Sequence, residues 1–243
     1  MKRFLVVFLV LVSLPVWAGE FGPLEPSAKE GKFSLGVGYF YEQLKWEAAT
    51  LFEEKTEPFK TKSNQFYLQG SFGVTKGWEI FARVGVADAK LKEEYIDFKD
   101  GYKFFGTIGA KGVVYSTKGF NIGPFVQASL FSQYKDSLIE DQTKIDFKLK
   151  NRFDLNLGLL GQANINNNFF VYLGPFYAYN RTKLEVKVSE LGVSVSDSDT
   201  VKAKAPIGGV IGLGGQIAKN LRFNAEAQIR NRISAGASLS YSF

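Results

Sequence analysis

No cysteine and no histidine occur among the 243 residues, and the one methionine is the first residue. Without cysteine the chain has no disulfide staple and no thiolate metal site, although an exported protein would be free to form disulfides. Without histidine it lacks the side chain that most readily exchanges a proton near neutral pH, and so the commonest general base. Charge of one sign is also missing. Lys and Arg number 30 against 24 Asp and Glu, and they interleave along the chain. That balance leaves no electrostatic footprint for nucleic acid. Beyond the first eighteen residues no apolar run approaches the ~18 residues of a transmembrane helix, and helical periodicity is absent.

The one long apolar run is at the start. Lys2 and Arg3 precede Phe4 to Leu14, Pro15 breaks the run, and Val16-Trp17-Ala18 places small residues where a signal peptidase cuts. Residues 1–18 are therefore read as a cleaved signal peptide, and 19–31, with Pro23 and Pro26, as a short periplasmic lead-in. Residues 32–243 are the folded domain, expected to be all-β.

From Phe33 onward a period of two dominates. Phe33, Leu35, Val37, Tyr39 and Tyr41 alternate with Ser34, Gly36, Gly38 and Glu42. Trp78, Ile80, Ala82, Val84 and Val86 alternate with Glu79, Arg83 and Gly85. Near the end, Leu221, Phe223, Ala225, Ala227 and Ile229 alternate with Arg222, Asn224, Glu226, Gln228 and Arg230. Counting such runs gives about ten strands. Tight connections follow the second, fourth, sixth and eighth: Thr75-Lys76-Gly77, Ser116 to Gly119, Asn164 to Asn168 and Ala218 to Asn220. Long charged ones follow the first, third, fifth and seventh: Leu44 to Lys62, Asp88 to Gly101, Tyr134 to Lys144 and Arg181 to Lys202. Short turns on one side and long loops on the other are the habit of a closed, antiparallel, up-and-down transmembrane β-barrel, with the turns periplasmic.

Alternation alone does not say which face is the core, and a soluble lipocalin-type barrel would bury the apolar one. Charge decides. One face carries Arg83, Lys111, Arg152, Asp154, Arg222, Glu226 and Arg230 among Asn, Gln, Ser and Gly. A polar lumen accommodates these, whereas a Lys or Arg facing lipid at mid-bilayer costs ~2–4 kcal/mol. These seven are read as a lumen charge network that fills a narrow barrel, since barrels near eight strands are filled by side chains. Aromatic residues gather at both ends of the runs: Tyr39, Phe66, Phe104, Tyr177 and Tyr179 at one, Phe33, Phe72, Trp78, Phe169 and Phe243 at the other. Two such girdles are what a bilayer selects.

The ending Ile233-Ser-Ala-Gly-Ala-Ser-Leu-Ser-Tyr241-Ser-Phe243 resembles the C-terminal strand of bacterial outer-membrane β-barrel proteins, and the whole chain resembles the small OmpA-like and porin-like barrel group. The resemblance implies a bacterial outer-membrane location, a lipid environment and delivery by periplasmic chaperones. It makes Tyr241 and Phe243 an assembly signal read by the barrel-assembly machinery. Enzymes of this architecture are implied to use a catalytic His, which this chain lacks, so no catalytic residue, cofactor or metal is expected. The carboxylate pairs Glu53-Glu54, Glu93-Glu94 and Asp197/Asp199 fall in loops without EF-hand spacing. Trp46, Leu51, Phe52 and Phe59 form an apolar loop cluster, expected to pack within the loop. The function expected is non-enzymatic, structural or surface-interacting through exposed loops. A narrow passive pore for small solutes or ions is the alternative.

Overall fold

The structure, a computed structural model, describes residues 21–93, 96–140, 143–166, 168–191 and 193–243. The expected signal peptide lies outside the described residues. Ten strands form the barrel: β1 Phe33–Lys45, β2 Lys60–Thr75, β3 Trp78–Glu93, β4 Ile96–Gly112, β5 Phe120–Phe131, β6 Thr143–Asn164, β7 Phe169–Glu190, β8 Ile207–Ala218, β9 Leu221–Ile229 and β10 Ile233–Ser242. Each pairs antiparallel with its sequence neighbours. The β1–β10 ladder, from Ser34↔Ser242 to Tyr41↔Ala235, closes the ring. Closure matters because an open edge in lipid would strand backbone N–H and C=O groups without partners.

The apolar residues of the alternating runs face outward. Leu68, Ile80, Val84, Phe104, Ile108, Leu130 and Leu173 are all exposed, while Gln127, Asn156, Gln162 and Asn224 on the opposite parity are buried. This inverted arrangement is stable only where lipid replaces water around the belt, so the barrel spans a membrane. The aromatic tiers pair across strands, Tyr39 with Phe66 at 4.9 Å at one end and Phe33 with Phe72 at 4.8 Å at the other.

The long connections differ from expectation. Much of each continues as strand, so β6 and β7 run for 22 residues apiece, roughly 70 Å of extended chain where about ten residues suffice to cross. Two further strands, Tyr134–Glu140 and Val193–Lys202, pair with these extensions, and Thr50–Leu51 pairs with Glu54–Lys55 in a small hairpin. The cause is in the side chains. Beyond the lipid belt the inward parity turns apolar, with Leu44, Trp46, Phe59, Leu91, Phe98, Tyr134, Leu149, Leu184, Val186 and Val201 packed into one core. On β6 a bulge between Lys150 and Phe153, with Asn151 at φ 54, shifts the register. It carries Leu149 to the inside although Phe153, of the same sequence parity, faces out. Trp46, Leu51 and Phe59 of the expected loop cluster join this core, and Phe52 remains 40% exposed.

Candidate functional site

The lumen is the candidate site, and it is filled at three levels. At the short-turn end, residues 21–31 run inside the barrel. Strand pairing gives this segment little beyond a bridge from Glu30 to Gly73, yet its backbone must be satisfied once out of water. Wall side chains do this. The Glu226 carboxylate accepts the N–H of Phe21 (3.2 Å) and Gly22 (2.9 Å). Gln162 accepts those of Leu24 and Glu25 at 3.0 and 3.2 Å. Glu79 accepts both the N–H and the hydroxyl of Ser27, at 2.6 and 2.9 Å. Lys111 donates to the Phe21 carbonyl at 3.3 Å and pairs with Glu79 at 3.3 Å. Arg222 donates to the carbonyls of Glu25 and Pro26 and lies 3.7 Å from the Glu25 carboxylate. Pro23 and Pro26 bring no N–H of their own, which removes two donors from the accounting. Phe21 and Leu24 pack against Phe125, Leu160, Phe170 and Tyr172.

In the middle, large rings lie flat over glycines of the next strand. A Cβ on Gly212 would come within 2.1 Å of the Tyr172 ring, and one on Gly38 within 2.3 Å of Tyr67. Only a hydrogen side chain leaves room for an inward ring to fold against the wall, and this thickens the wall at the expense of the bore. Tyr172 donates to Glu226 at 2.8 Å, tying this level to the one below. Arg83 donates to Gln69 at 2.6 Å and sits 4.8 Å over both Tyr67 and Phe81. The cavity left among Phe21, Tyr67, Arg83, Lys111 and Arg222 is about 30 Å³.

Higher, the buried Arg152 guanidinium meets Glu42 at 2.5 Å and Asp154 at 2.6 Å and lies 4.1 Å over Phe131. Arg230 donates to Asn180 at 2.6 Å. A cavity of about 10 Å³ opens between Glu42, Arg230 and Asn180. Above this the apolar core closes over, with Trp46 donating to Thr61 at 2.9 Å.

The seven sequence-derived lumen residues thus all face inward but split into two groups. Lys111, Arg222 and Glu226 hold the 21–31 segment, with Arg83 beside them, while Arg152, Asp154 and Arg230 sit higher with Glu42. Three partners were not counted in that network: Glu42 and Glu79, legible on the inward face of their strands, and Glu25, in a segment without periodicity. Tyr241 and Phe243 face outward at the short-turn rim, rings 5.3 Å apart, with the Phe243 N–H on the Phe33 carbonyl at 3.1 Å.

Of the acidic pairs, Asp197 and Asp199 have structural partners in the outer extension. Asp199 accepts the Thr50 N–H and Asp197 that of Phe52, at 2.7 and 2.6 Å, so the small hairpin hangs from the Val193–Lys202 strand. The Phe52 and Ser198 amides hold the Asp197 carboxyl below its usual range. Hydrogen bonds from Lys150 and Lys148 hold Glu185 down to about 2. Glu53 and Glu54 are exposed at the hairpin tip, and Glu94 lies outside the described residues.

No protein-family model matches the chain, and no curated protein matches it. Among solved structures the chain is similar to the outer-membrane protease OmpT from Escherichia coli, at 10% identity over 87% of this chain and 97% of that one, TM-score 0.53. It is similar also to the translocator domain of the autotransporter NalP from Neisseria meningitidis, at 14% identity over 88% of each, TM-score 0.53. The outer-membrane protein OprG from Pseudomonas aeruginosa matches at 12% identity over 89% and 97%, TM-score 0.48. At these identities the likeness is one of fold. The two matches at TM-score 0.53, together with the apolar belt and closed ladder, make the chain a bacterial outer-membrane β-barrel.

Proposed function

We propose that this chain is a non-enzymatic, sealed barrel whose working part is the β extension standing beyond the membrane at the end opposite the short turns, the cell-surface side. The observation that carries the reading is the filled lumen: a peptide segment below, a salt-bridged and aromatic middle, and an apolar core above, and among the described residues the cavities of about 30 and 10 Å³ hold a few waters at most. A barrel of ten strands is only slightly wider than the eight-stranded case in which side chains already fill the interior. The lipid belt then anchors, and the rigid extension presents a surface.

The narrow-pore alternative draws on one feature. Residues 21–31 are held mainly by side chains and by little of the barrel's ladder, so they could withdraw more easily than a strand. Planar-bilayer conductance separates the two readings. The refolded chain should show no steady conductance, and a variant lacking residues 21–31 should also stay closed because the Trp46–Phe59 core still caps the other end. Steady ion flow through the intact chain would overturn the sealed reading, and flow only in the shortened variant would favour a gated pore.

A further inference from the structure

The outward face changes character just beyond the upper aromatic tier. On β7, Tyr177 and Tyr179 are followed on the same face by Arg181 and Lys183. The register then sets like charges directly opposite one another: Lys183 against Lys150 on β6, and Arg181 against Lys202 on the neighbouring Val193–Lys202 strand. Elsewhere on the rim Lys62 stands opposite Lys90, and Lys90 opposite Lys99. Opposed like charges destabilise an antiparallel pair, so the sheet itself gives no reason for them.

Neighbouring carboxylates answer part of this charge. Glu185 takes Lys148 and Lys150 at 3.0 and 2.6 Å, and Asp88 takes Lys90 at 2.8 Å. Arg181, Lys183 and Lys202 are exposed, and among the described residues no ion pair engages any of the three. Lys202 lies 6.0 Å over the Tyr179 ring, which keeps its ammonium at the edge of the lipid belt. Arg181 follows Tyr179 by two residues, about 7 Å along the strand. With the tyrosine ring at the interface, that height is the headgroup layer.

We propose that Lys150, Arg181, Lys183 and Lys202 form a binding site for a phosphate-bearing lipid headgroup of the leaflet on the extension side. The guanidinium offers a planar fork to phosphate oxygens, and the ammonium groups add point charges around it. A phosphate set among them relieves the Arg181–Lys202 opposition and supplements Glu185, which already answers Lys150. The site rests on the membrane embedding and is independent of whether the lumen is sealed.

Native mass spectrometry of the full chain in a maltoside micelle tests the site. The micelle is titrated with bisphosphorylated lipid A, the same lipid stripped of phosphate, or inorganic phosphate. The wild type should bind the bisphosphorylated lipid at least about tenfold more tightly than the variant K150Q/R181Q/K183Q/K202Q, since each cation near an anionic surface adds a several-fold factor. The phosphate-free lipid should not distinguish the two proteins, and inorganic phosphate should bind neither comparably. Equal binding of the bisphosphorylated lipid to both proteins overturns the site, as does equal preference for the stripped lipid. Binding of inorganic phosphate as tight as the lipid's overturns the lipid assignment. Should the variant fail to fold, the wild type alone decides: its affinity for the bisphosphorylated lipid must fall with added NaCl while that for the stripped lipid does not.

Discussion

Arg152 carries much of the logic of this lumen. Its guanidinium is buried beside two carboxylates, from β1 and from its own strand, and stacks on Phe131. Such a cluster adds little net stability over apolar packing, but removing the cation alone leaves two buried acids side by side, with a long hydrogen bond from Gln65 to Glu42 and the more distant Arg230 as what remains to offset them. Arg152→Gln should therefore destabilise the refolded barrel by about 3–5 kcal/mol, whereas R152M/E42Q/D154N, which removes all the charge together, should recover most of the loss. Urea unfolding in detergent reads both. Equal destabilisation by the two variants would mean that packing, and not charge, holds this level. Arg152 and Asp154 were legible in the sequence as inward charges, because each sits on the polar parity of a strand whose other parity is apolar. Glu25 was not legible. Its role depends on where residues 21–31 lie, and a short Pro-containing segment without periodicity gives no sign that its backbone will be received by Glu226, Gln162 and Glu79.

At the level of elements, the alternation identified all ten barrel strands because lipid on one side and a polar lumen on the other impose opposite demands on successive residues. The same rule misjudged where strands end. Beyond the lipid belt the polarity inverts, and at Lys150–Phe153 a bulge shifts the register, so residues 134–144 and 181–202 read as charged loops although they carry their own two-residue period. The extension also has a pH dependence that the barrel wall has no reason to share. Asp197, with its folded-state pKa depressed by the amides it accepts, stabilises the attached hairpin above the unfolded carboxyl value of about 3.9. That contribution is lost as pH falls through the depressed folded value. Glu185, held at about 2, behaves likewise for the β6–β7 extension. Hydrogen-exchange protection at the Phe52 amide should hold from pH 7 to about 4 and fall below that, while protection at Gln65 in the barrel stays level. In Asp197→Asn the Phe52 protection should be low and flat. A wild-type profile at Phe52 that is flat down to pH 2 contradicts the proposed anchor.

For the whole molecule, closure depends on one seam, where the last strand meets the first. Tyr241 pairs with Leu35 and Leu239 with Val37 across it, and the Phe243 N–H reaches the Phe33 carbonyl beyond the last paired residues. In the finished barrel Phe243 contributes one hydrogen bond, worth about 1 kcal/mol, and a ring against Tyr241 at the interface, so its loss should leave a stable fold. Its proposed second role is kinetic. As part of the terminal strand it would be what the assembly machinery reads before the seam exists, when the unpaired edges of the other strands are still open to aggregation. The two roles separate if a matched control is used. Leu239→Ala, on the same outward face of the same strand, also trims apolar contact without touching the terminus. Deleting Phe243 and making Leu239→Ala should lower the stability of refolded protein by similar amounts, each within about 1–2 kcal/mol. In cells the deletion should cut the amount of heat-modifiable barrel in the membrane several-fold further than Leu239→Ala does. Membrane yields that simply follow the two measured stabilities would show that the terminal aromatic acts only as a seam contact and carries no signal for assembly.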